Sequence, residues 1–184
     1  FSSHDASFGF FDSPAIEAVT ICFMLVAGIN FGTHFVAIRE RSFRPYQRDS
    51  EAGLFLLITL GSCVAIAAYL LSQGTYKTFM EALRFASFNV VSIATTTGFA
   101  NTDYNLWPMF APLWMLFLCC FASCSGSTGG GIKMIRAQLL YKQVNREYLK
   151  LLHPRAVSPA KLSGQVIENK ILFAVLAFMF VYVS

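Results

Sequence analysis

The chain has 184 residues, of which 55% are hydrophobic and only 13% are charged, and its formal net charge is +4. Water-soluble domains carry about 25% charged residues, so this composition excludes an ordinary soluble domain. Because the uncharged residues are grouped into long windows, the sequence predicts an all-α polytopic membrane protein.

Three windows contain no Asp, Glu, Lys or Arg: residues 18–38, 52–76 and 104–132. A spanning helix needs roughly 20 apolar residues, so each window is long enough to form one. A further apolar run covers residues 171–184. The sequence has no initiator Met and no signal-peptide n-region, and its last apolar run stops early, so we expect an internal piece of a longer protein.

Basic residues predict which loops face the cytoplasm. They are concentrated in the linker after the first window and in the segment after the third: Arg39, Arg41, Arg44, Arg48, Lys133, Arg136, Lys142, Arg146, Lys150, Arg155 and Lys161. Beside spanning helices, this pattern favours cytoplasmic loops over a nucleic-acid interface. The outer segments then include residues 1–14 and the stretch between the second and third windows.

The stretch from Thr78 to Thr102 therefore begins and ends on the outer side. It contains an amphipathic run followed by the polar sequence SIATTTGFANTD. A helix of about 11–12 residues advances only ~17 Å, which reaches mid-membrane. The pattern predicts a re-entrant hairpin, in which a short descending helix is followed by an extended return strand that must line protein or water.

The sequence Thr-Thr-Thr-Gly at residues 95–98 suits an ion-binding strand. Backbone carbonyls can replace the hydration shell of a monovalent cation, and Gly98 permits backbone angles that a Cβ would forbid. The C-terminal end of the descending helix would add a partial negative charge. A Thr-rich turn in an extracellular loop is the alternative, and composition alone does not choose between them.

The third window is interrupted by four glycines within residues 126–131. Each costs roughly 1 kcal/mol in a helix interior, so we expect the helix to break there and to form a loop that acts as a gate. Close helix packing through small residues is one alternative. A phosphate-binding loop is disfavoured because Ile132 separates Gly131 from Lys133. An intramembrane serine hydrolase would use Ser127, with His34 as the only intramembrane candidate base.

Four segments together resemble the TrkH potassium-uptake proteins, the membrane subunit of the bacterial Trk system: FSSHDASFGFFDSP, FNVVSIATTTGF, CSGSTGGGIKMIR and LLHPRAV. They follow the order of that family and cover essentially the whole chain. The resemblance implies four repeats of helix, pore loop and helix around one pore. It also implies potassium uptake across the bacterial inner membrane, without covalent chemistry and without a cofactor in this subunit.

The resemblance divides the chain into parts of these repeats. Residues 1–38 would end the second repeat, with Phe1 and Ser2 trailing its filter and Pro14–Ile38 as its inward-going helix. Residues 39–52 would be a cytoplasmic basic linker and 53–141 the complete third repeat, with helix Gly53–Thr75, pore helix Thr78–Ala94, the filter, and interrupted helix Leu106–Tyr141. Residues 142–165 would be a second cytoplasmic linker and 166–184 the start of the fourth repeat.

The resemblance also implies site residues. One quarter of the selectivity filter would be Thr95, Thr96, Thr97, Gly98 and Phe99. The gating loop would be Gly126, Ser127, Thr128, Gly129, Gly130 and Gly131. Because this filter keeps one glycine, a less selective transporter of K⁺ and Na⁺ is an alternative.

Partners follow from the same resemblance: the lipid bilayer, a second copy of the chain in a homodimer, and a cytoplasmic nucleotide-binding regulatory subunit (TrkA-like). Lys133 and Arg136 are candidates for contacting that subunit, or they reach lipid phosphates. Asn89 and Ser92 are candidates for bracing the filter backbone, with ordinary helix packing as the alternative.

Overall fold

A computed structural model describes residues 4–153, 161–162, 165–166 and 169–183. Phe1 and Ser2, expected to trail a filter, lie outside the described residues, as does most of the LLHPRAV segment. The regular elements of the described part are α-helices, two short 3₁₀ helices (Ser7–Phe10 and Tyr104–Leu106) and two short strands, β1 (Lys161–Leu162) and β2 (Gln165–Val166), which pair antiparallel. The core of the described part consists of α-helices, as the all-α expectation predicted.

The first charge-free window forms two helices, α1 (Pro14–Gly28) and α2 (Phe31–Glu40), which meet at 97°. This corrects the expectation of one continuous helix over residues 14–38. Pro14 suits the first turn of α1, where its missing N–H would have no partner. Asn30 begins α2 because its side-chain oxygen accepts the Gly32 N–H over 2.8 Å.

The second window forms α4 (Ser50–Ser72), which follows a short helix α3 (Arg44–Arg48). Among the described helices, α4 alone is long and apolar enough to cross a membrane unbroken. Asp49 caps it by accepting the N–H groups of Glu51 and Ala52 over 2.9 and 3.3 Å. The helix thus begins before the expected Gly53 and includes the acidic residue Glu51.

Helix α5 (Phe79–Ala94) corresponds closely to the expected short helix over residues 78–94. The Thr78 hydroxyl accepts the N–H of Glu81 over 3.3 Å and so fixes where α5 begins. Its apolar side chains lie in the centre of the molecule, between α1, α4 and the helix that follows. The largest fully buried apolar side chains of this core are Phe55, Phe88, Ile66, Leu70, Met115, Leu118, Ile132, Val90 and Val91.

The only α-helix that lies within the third window is α6 (Phe110–Phe121), after which the described chain leaves the helical conformation. It becomes helical again in α7 (Met134–Leu152), and the last apolar run forms α8 (Asn169–Val183). The expected interruption is therefore present, and it begins several residues before the first glycine. The non-helical segment 122–133 lies against the bend between α1 and α2 and against the C-terminal end of α5.

Candidate functional site

The segment that follows α5, residues 95–99, begins with a sharp turn at its first two residues. Thr95 has φ −88° and ψ 1°, and Thr96 lies in the left-handed region with φ 57°. The expectation of an extended return strand directly after the helix is therefore corrected: residues 95 and 96 form a turn, and residues 97–100 are not in a strand. Gly98 has φ 81°, a conformation that glycine adopts without a steric penalty.

Side-chain hydroxyls and backbone groups hold this segment from inside. The Thr95 Oγ1 donates to the Val91 carbonyl over 2.8 Å and lies 2.8 Å from Thr97 Oγ1. The Thr97 N–H donates to the Ser92 carbonyl over 2.8 Å, and the Ser92 hydroxyl donates to the Phe99 carbonyl over 2.6 Å. Ser92 therefore braces the backbone of the segment, as the sequence suggested.

The side chain of Asn89 forms its hydrogen bonds outside residues 95–99. Its side-chain amide donates to the Phe85 carbonyl over 2.9 Å and to Asn101 Oδ1 over 2.7 Å, in a buried contact. The Phe8 N–H donates to the Ala100 carbonyl over 2.9 Å, so the N-terminal segment also holds the chain just beyond the candidate filter. Asn89 thus fixes the segment that follows the filter rather than the filter itself.

Four consecutive carbonyls of the segment have no donor within the described part of the chain: those of Thr95, Thr96, Thr97 and Gly98. The carbonyls of Phe99 and Ala100, immediately beyond, both accept hydrogen bonds. Of the four residues, Thr95 is buried, Thr97 is half-buried, and Thr96 and Gly98 are exposed. A run of free acceptors beside the end of a helix is therefore an arrangement that can coordinate a cation.

The non-helical segment 122–133 is an ordered loop with its own backbone pattern. The Ile132 N–H donates to the Cys120 carbonyl and the Met134 N–H to the Ser123 carbonyl, each over 2.8 Å. Gly131 has φ 85°, and a Cβ there would come within 2.7 Å of the Cys120 carbonyl oxygen. The conformation at this position therefore requires glycine.

The loop fits into the bend between α1 and α2. The N–H groups of Cys124 and Thr128 donate to the carbonyls of Gly28 and Ala27 over 3.2 and 3.3 Å, and the Phe31 N–H donates to the Gly126 carbonyl over 3.1 Å. Backbone groups freed by a broken helix at membrane depth need partners. Here two interrupted helices supply partners to each other.

The loop also contacts the candidate filter directly. The Gly130 N–H donates to Thr96 Oγ1 over 2.8 Å, and the Ser123 hydroxyl holds the Gly130 carbonyl over 2.8 Å. A groove of about 410 Å³ lies between α1 and these two segments. Its lining includes residues of α1, of the candidate filter and of the loop: Thr20, Phe23, Met24, Ala27, Thr95, Thr96, Thr97, Phe99 and Thr128.

Lys133, at the end of the loop, and Arg136, in the first turn of α7, have partners within the chain. The Lys133 ammonium donates to the Gly129 carbonyl and lies 3.5 Å from the Ser127 carbonyl. The Arg136 guanidinium donates to the Ile132 carbonyl over 3.3 Å and lies 4.0 Å from the ring centroid of Phe178. Lys133 thus contacts the loop itself, a role that the sequence had not suggested.

Two acidic residues that the sequence analysis missed are buried, one beside the loop and one between α1 and α5. Glu51 accepts hydrogen bonds from both the N–H and the hydroxyl of Ser125, at the start of the loop. Glu17 accepts two hydrogen bonds from Arg84 and so joins α1 to α5. The signal that could have pointed to them is an acidic residue in the first turn of an otherwise apolar helix.

The geometry gives the serine-hydrolase alternative no support. The Ser127 hydroxyl donates to the Cys124 carbonyl over 2.6 Å. The two ring nitrogens of His34 contact the Tyr46 hydroxyl and the Val26 carbonyl, each over 2.8 Å. Among the described residues, His34 is therefore not placed to act as the base of Ser127.

Comparison with known proteins identifies the family of the chain. The profile of the TrkH family, described as "Cation transport protein", matches residues 1–184. The chain belongs to the TrkH family. The Trk system potassium uptake protein TrkH of Halomonas elongata is 44% identical over 184 residues, and that of Salmonella typhimurium is 42% identical over 182 residues.

These comparisons cover the whole of this chain but only part of the relatives. The alignments take in 100% and 99% of the chain and 38% of each relative, so the chain spans less than half the length of these TrkH proteins. The crystal structure of the potassium transporter TrkH from Vibrio parahaemolyticus superposes with a TM-score of 0.94 at 39% identity, covering 100% of this chain and 40% of that one. The all-helical fold is therefore that of TrkH.

Proposed function

We propose that this chain forms part of a gated pore for potassium uptake across the bacterial inner membrane. The observation that carries the proposal is the run of free carbonyls at Thr95, Thr96, Thr97 and Gly98. It lies in the part of the chain where a re-entrant pore loop is expected. The similar TrkH proteins of Halomonas elongata and Salmonella typhimurium are potassium uptake proteins, which supports the same function.

The free carbonyls suit a monovalent cation for a physical reason. A ring of neutral oxygen dipoles replaces the water around K⁺ without a net negative charge that would hold the ion too tightly. The C-terminal end of α5 directs a partial negative charge to the same place. In this proposal residues 95–99 supply one quarter of the filter, and the other quarters come from equivalent repeats.

Residues 126–131 act as the gate below this filter in the proposal. Their contacts support the assignment, because the Gly130 N–H is bonded to the candidate filter residue Thr96 and the Thr128 N–H to the Ala27 carbonyl. These are hydrogen bonds between small groups, which can open without unpacking an apolar core. A loop held in this way can alternate between a closed and an open position.

The remaining architecture is proposed from the family. The protein is multi-pass, α5 is a re-entrant pore helix, and the chain contains a complete third repeat at residues 53–141 with parts of its neighbours. We also propose a homodimer and a cytoplasmic nucleotide-binding regulatory subunit. If Lys133 and Arg136 contact that subunit, their present bonds to Gly129, Ser127 and Ile132 must first open.

The test is potassium uptake in bacterial cells that lack other uptake systems. The protein is expressed with any flanking sequence that its gene encodes, and initial uptake of K⁺ is measured at several external concentrations. We expect saturable uptake that restores growth at low external K⁺. A protein that reaches the membrane and produces no K⁺ uptake above that of empty cells would refute the proposal.

A less selective pore for K⁺ and Na⁺ is the second candidate. One observation favours it: the Gly98 N–H reaches the Ser92 carbonyl only over 3.4 Å, so the peptide group that carries the free Thr97 carbonyl is held by a long hydrogen bond. A loosely held carbonyl discriminates less sharply by ion size. Competition of Na⁺ with K⁺ uptake, measured in the same cells, distinguishes the two candidates.

A further inference from the structure

Glu51 is a buried carboxylate with a specific partner in the loop. Its side chain belongs to the first turn of α4, and the residue is only 7% exposed. Oε2 accepts the N–H of Ser125 over 2.7 Å, and Oε1 accepts the hydroxyl of the same serine over 2.9 Å. Both carboxylate oxygens are thus engaged by one residue at the start of the loop.

This arrangement is more than the capping of a helix. Asp49 already caps α4 by accepting the N–H groups of Glu51 and Ala52, so the Glu51 carboxylate is available for the loop. Hydrogen bonds to an ionised carboxylate are roughly twice as strong as those between neutral groups. A carboxylate that is buried with its hydrogen bonds broken is costly, which favours the position of the loop seen here.

We propose that Glu51 is a positioning residue that latches the gating loop to α4. The inference rests on the proposed function, because it assumes that residues 126–131 move when the pore opens. The latch also continues toward the cytoplasmic linker: the Thr33 hydroxyl donates to Asp49 Oδ2 over 2.6 Å. Asp49 therefore connects α2 with the turn of α4 that carries Glu51.

The test measures exposure of the loop directly and separately from transport. The native Cys124, a loop residue that is 0% exposed, is the reporter in the full-length protein, and the rate of its modification by a bulky maleimide is measured in detergent. Labelling of the matching Cys124→Ser protein is subtracted, which removes the contribution of the other cysteines. The same rate is then measured with Glu51→Gln added, which keeps the size of the side chain and removes the charge.

We expect Glu51→Gln to raise the labelling rate roughly tenfold, the effect of losing one charge-assisted hydrogen bond on a two-state equilibrium. The matched control is Glu40→Gln, which neutralises an exposed acid of α2 and is expected to leave the rate unchanged. An unchanged rate in a folded Glu51→Gln protein would overturn the latch. If that variant does not fold, Ser125→Ala carries the test, with a severalfold increase expected and no increase overturning the inference.

Potassium uptake by the same variants separates this inference from the proposed function. Faster labelling together with higher basal uptake supports both. Faster labelling with unchanged uptake supports the latch and refutes the assignment of the loop as a gate. Unchanged labelling refutes the latch, whatever the uptake.

Discussion

The amide N–H of Gly130 donates to Oγ1 of Thr96 over 2.8 Å, so the glycine-rich loop is bonded to the segment that carries the free carbonyls. The two residues are far apart in the sequence: Thr96 comes before α6 and Gly130 comes after it. Their contact means that a movement of the loop changes the surroundings of Thr96 at once. It also makes the hydroxyl of Thr96 a test of the proposed connection between gate and filter.

The first prediction concerns that hydroxyl. Thr96→Val keeps the shape of the side chain and removes the acceptor of the Gly130 N–H, whereas Thr96→Ser keeps the acceptor. We expect Thr96→Val to weaken the closed position by about 1 kcal/mol, the net value of one hydrogen bond, and to raise basal K⁺ uptake about fivefold. Thr96→Ser should behave like the unaltered protein. Equal uptake by the two variants, at equal membrane levels, would contradict the connection.

Several parts of the fold could be predicted from sequence because their causes are local. The start of α5 depends on Thr78 and Glu81, and the interruption of the third window depends on glycines within residues 126–131. Gly98 was assigned a special conformation from its place after three threonines, and its φ of 81° agrees. Each of these features is decided by a few residues that are neighbours in the sequence.

The bend between α1 and α2 could not be predicted in the same way. Its freed carbonyls at Ala27 and Gly28 are satisfied by N–H groups of the loop, about a hundred residues later in the chain. An apolar window therefore looked like one helix. A weak local signal was present in Asn30, a good N-cap residue within the window.

Glu51 was missed for a related reason. The linker was expected to extend to residue 52, so Glu51 was placed outside the helix that follows. Asp49 followed by Ser50 and Glu51 is, however, a pattern typical of a helix start, and it would have placed Glu51 within α4. Its contact with Ser125 is tertiary, and no spacing in the sequence indicates it.

The second prediction tests the filter through Gly98. A Cβ added there would meet nothing within 4 Å, so Gly98→Ser acts on the backbone, whose φ of 81° suits glycine, and not through a clash. Such a conformation costs roughly 1–2 kcal/mol for other residues. We expect the shifted carbonyls to weaken the preference for K⁺ over Na⁺, measured as relative permeability.

Gly74 offers the matched control for this variant. It has φ 73° and equally open surroundings, but it lies in the turn after α4. Gly74→Ser should carry a similar conformational cost without changing ion preference. If both variants, or neither, altered relative permeability, the assignment of Gly98 to the filter would be wrong.

The third prediction concerns the loop as a gate. Deleting Gly129, Gly130 and Gly131 removes the N–H that bonds to Thr96 and shortens the segment that lies beneath it. We expect higher basal K⁺ flux with unchanged preference among cations, because the constriction is lost and the filter is kept. Flux through the purified protein in lipid vesicles is the direct measurement. A protein that is normally expressed and shows equal or lower flux would indicate that the loop has a packing role.

The fourth prediction concerns the stability of the contact between α1 and α5, where Arg84 of α5 contacts two acidic residues. Its guanidinium donates to both oxygens of Glu17 over 2.8 Å and to Asp12 over 2.7 Å. The Glu17 side chain is 4% exposed and that of Asp12 is 79% exposed. The two ion pairs therefore share one arginine and differ mainly in burial.

Burial decides which of these pairs stabilises the fold. Glu17→Gln leaves a partly buried guanidinium with one good acceptor fewer, which should cost about 1–3 kcal/mol and lower the Tm in detergent by several degrees. Asp12→Asn removes a pair that water already screens, at about 0–1 kcal/mol. High salt should reduce the small effect of Asp12→Asn and leave most of the effect of Glu17→Gln. Equal losses of Tm in the two variants would mean that the buried pair does not join α1 to α5 as the geometry indicates.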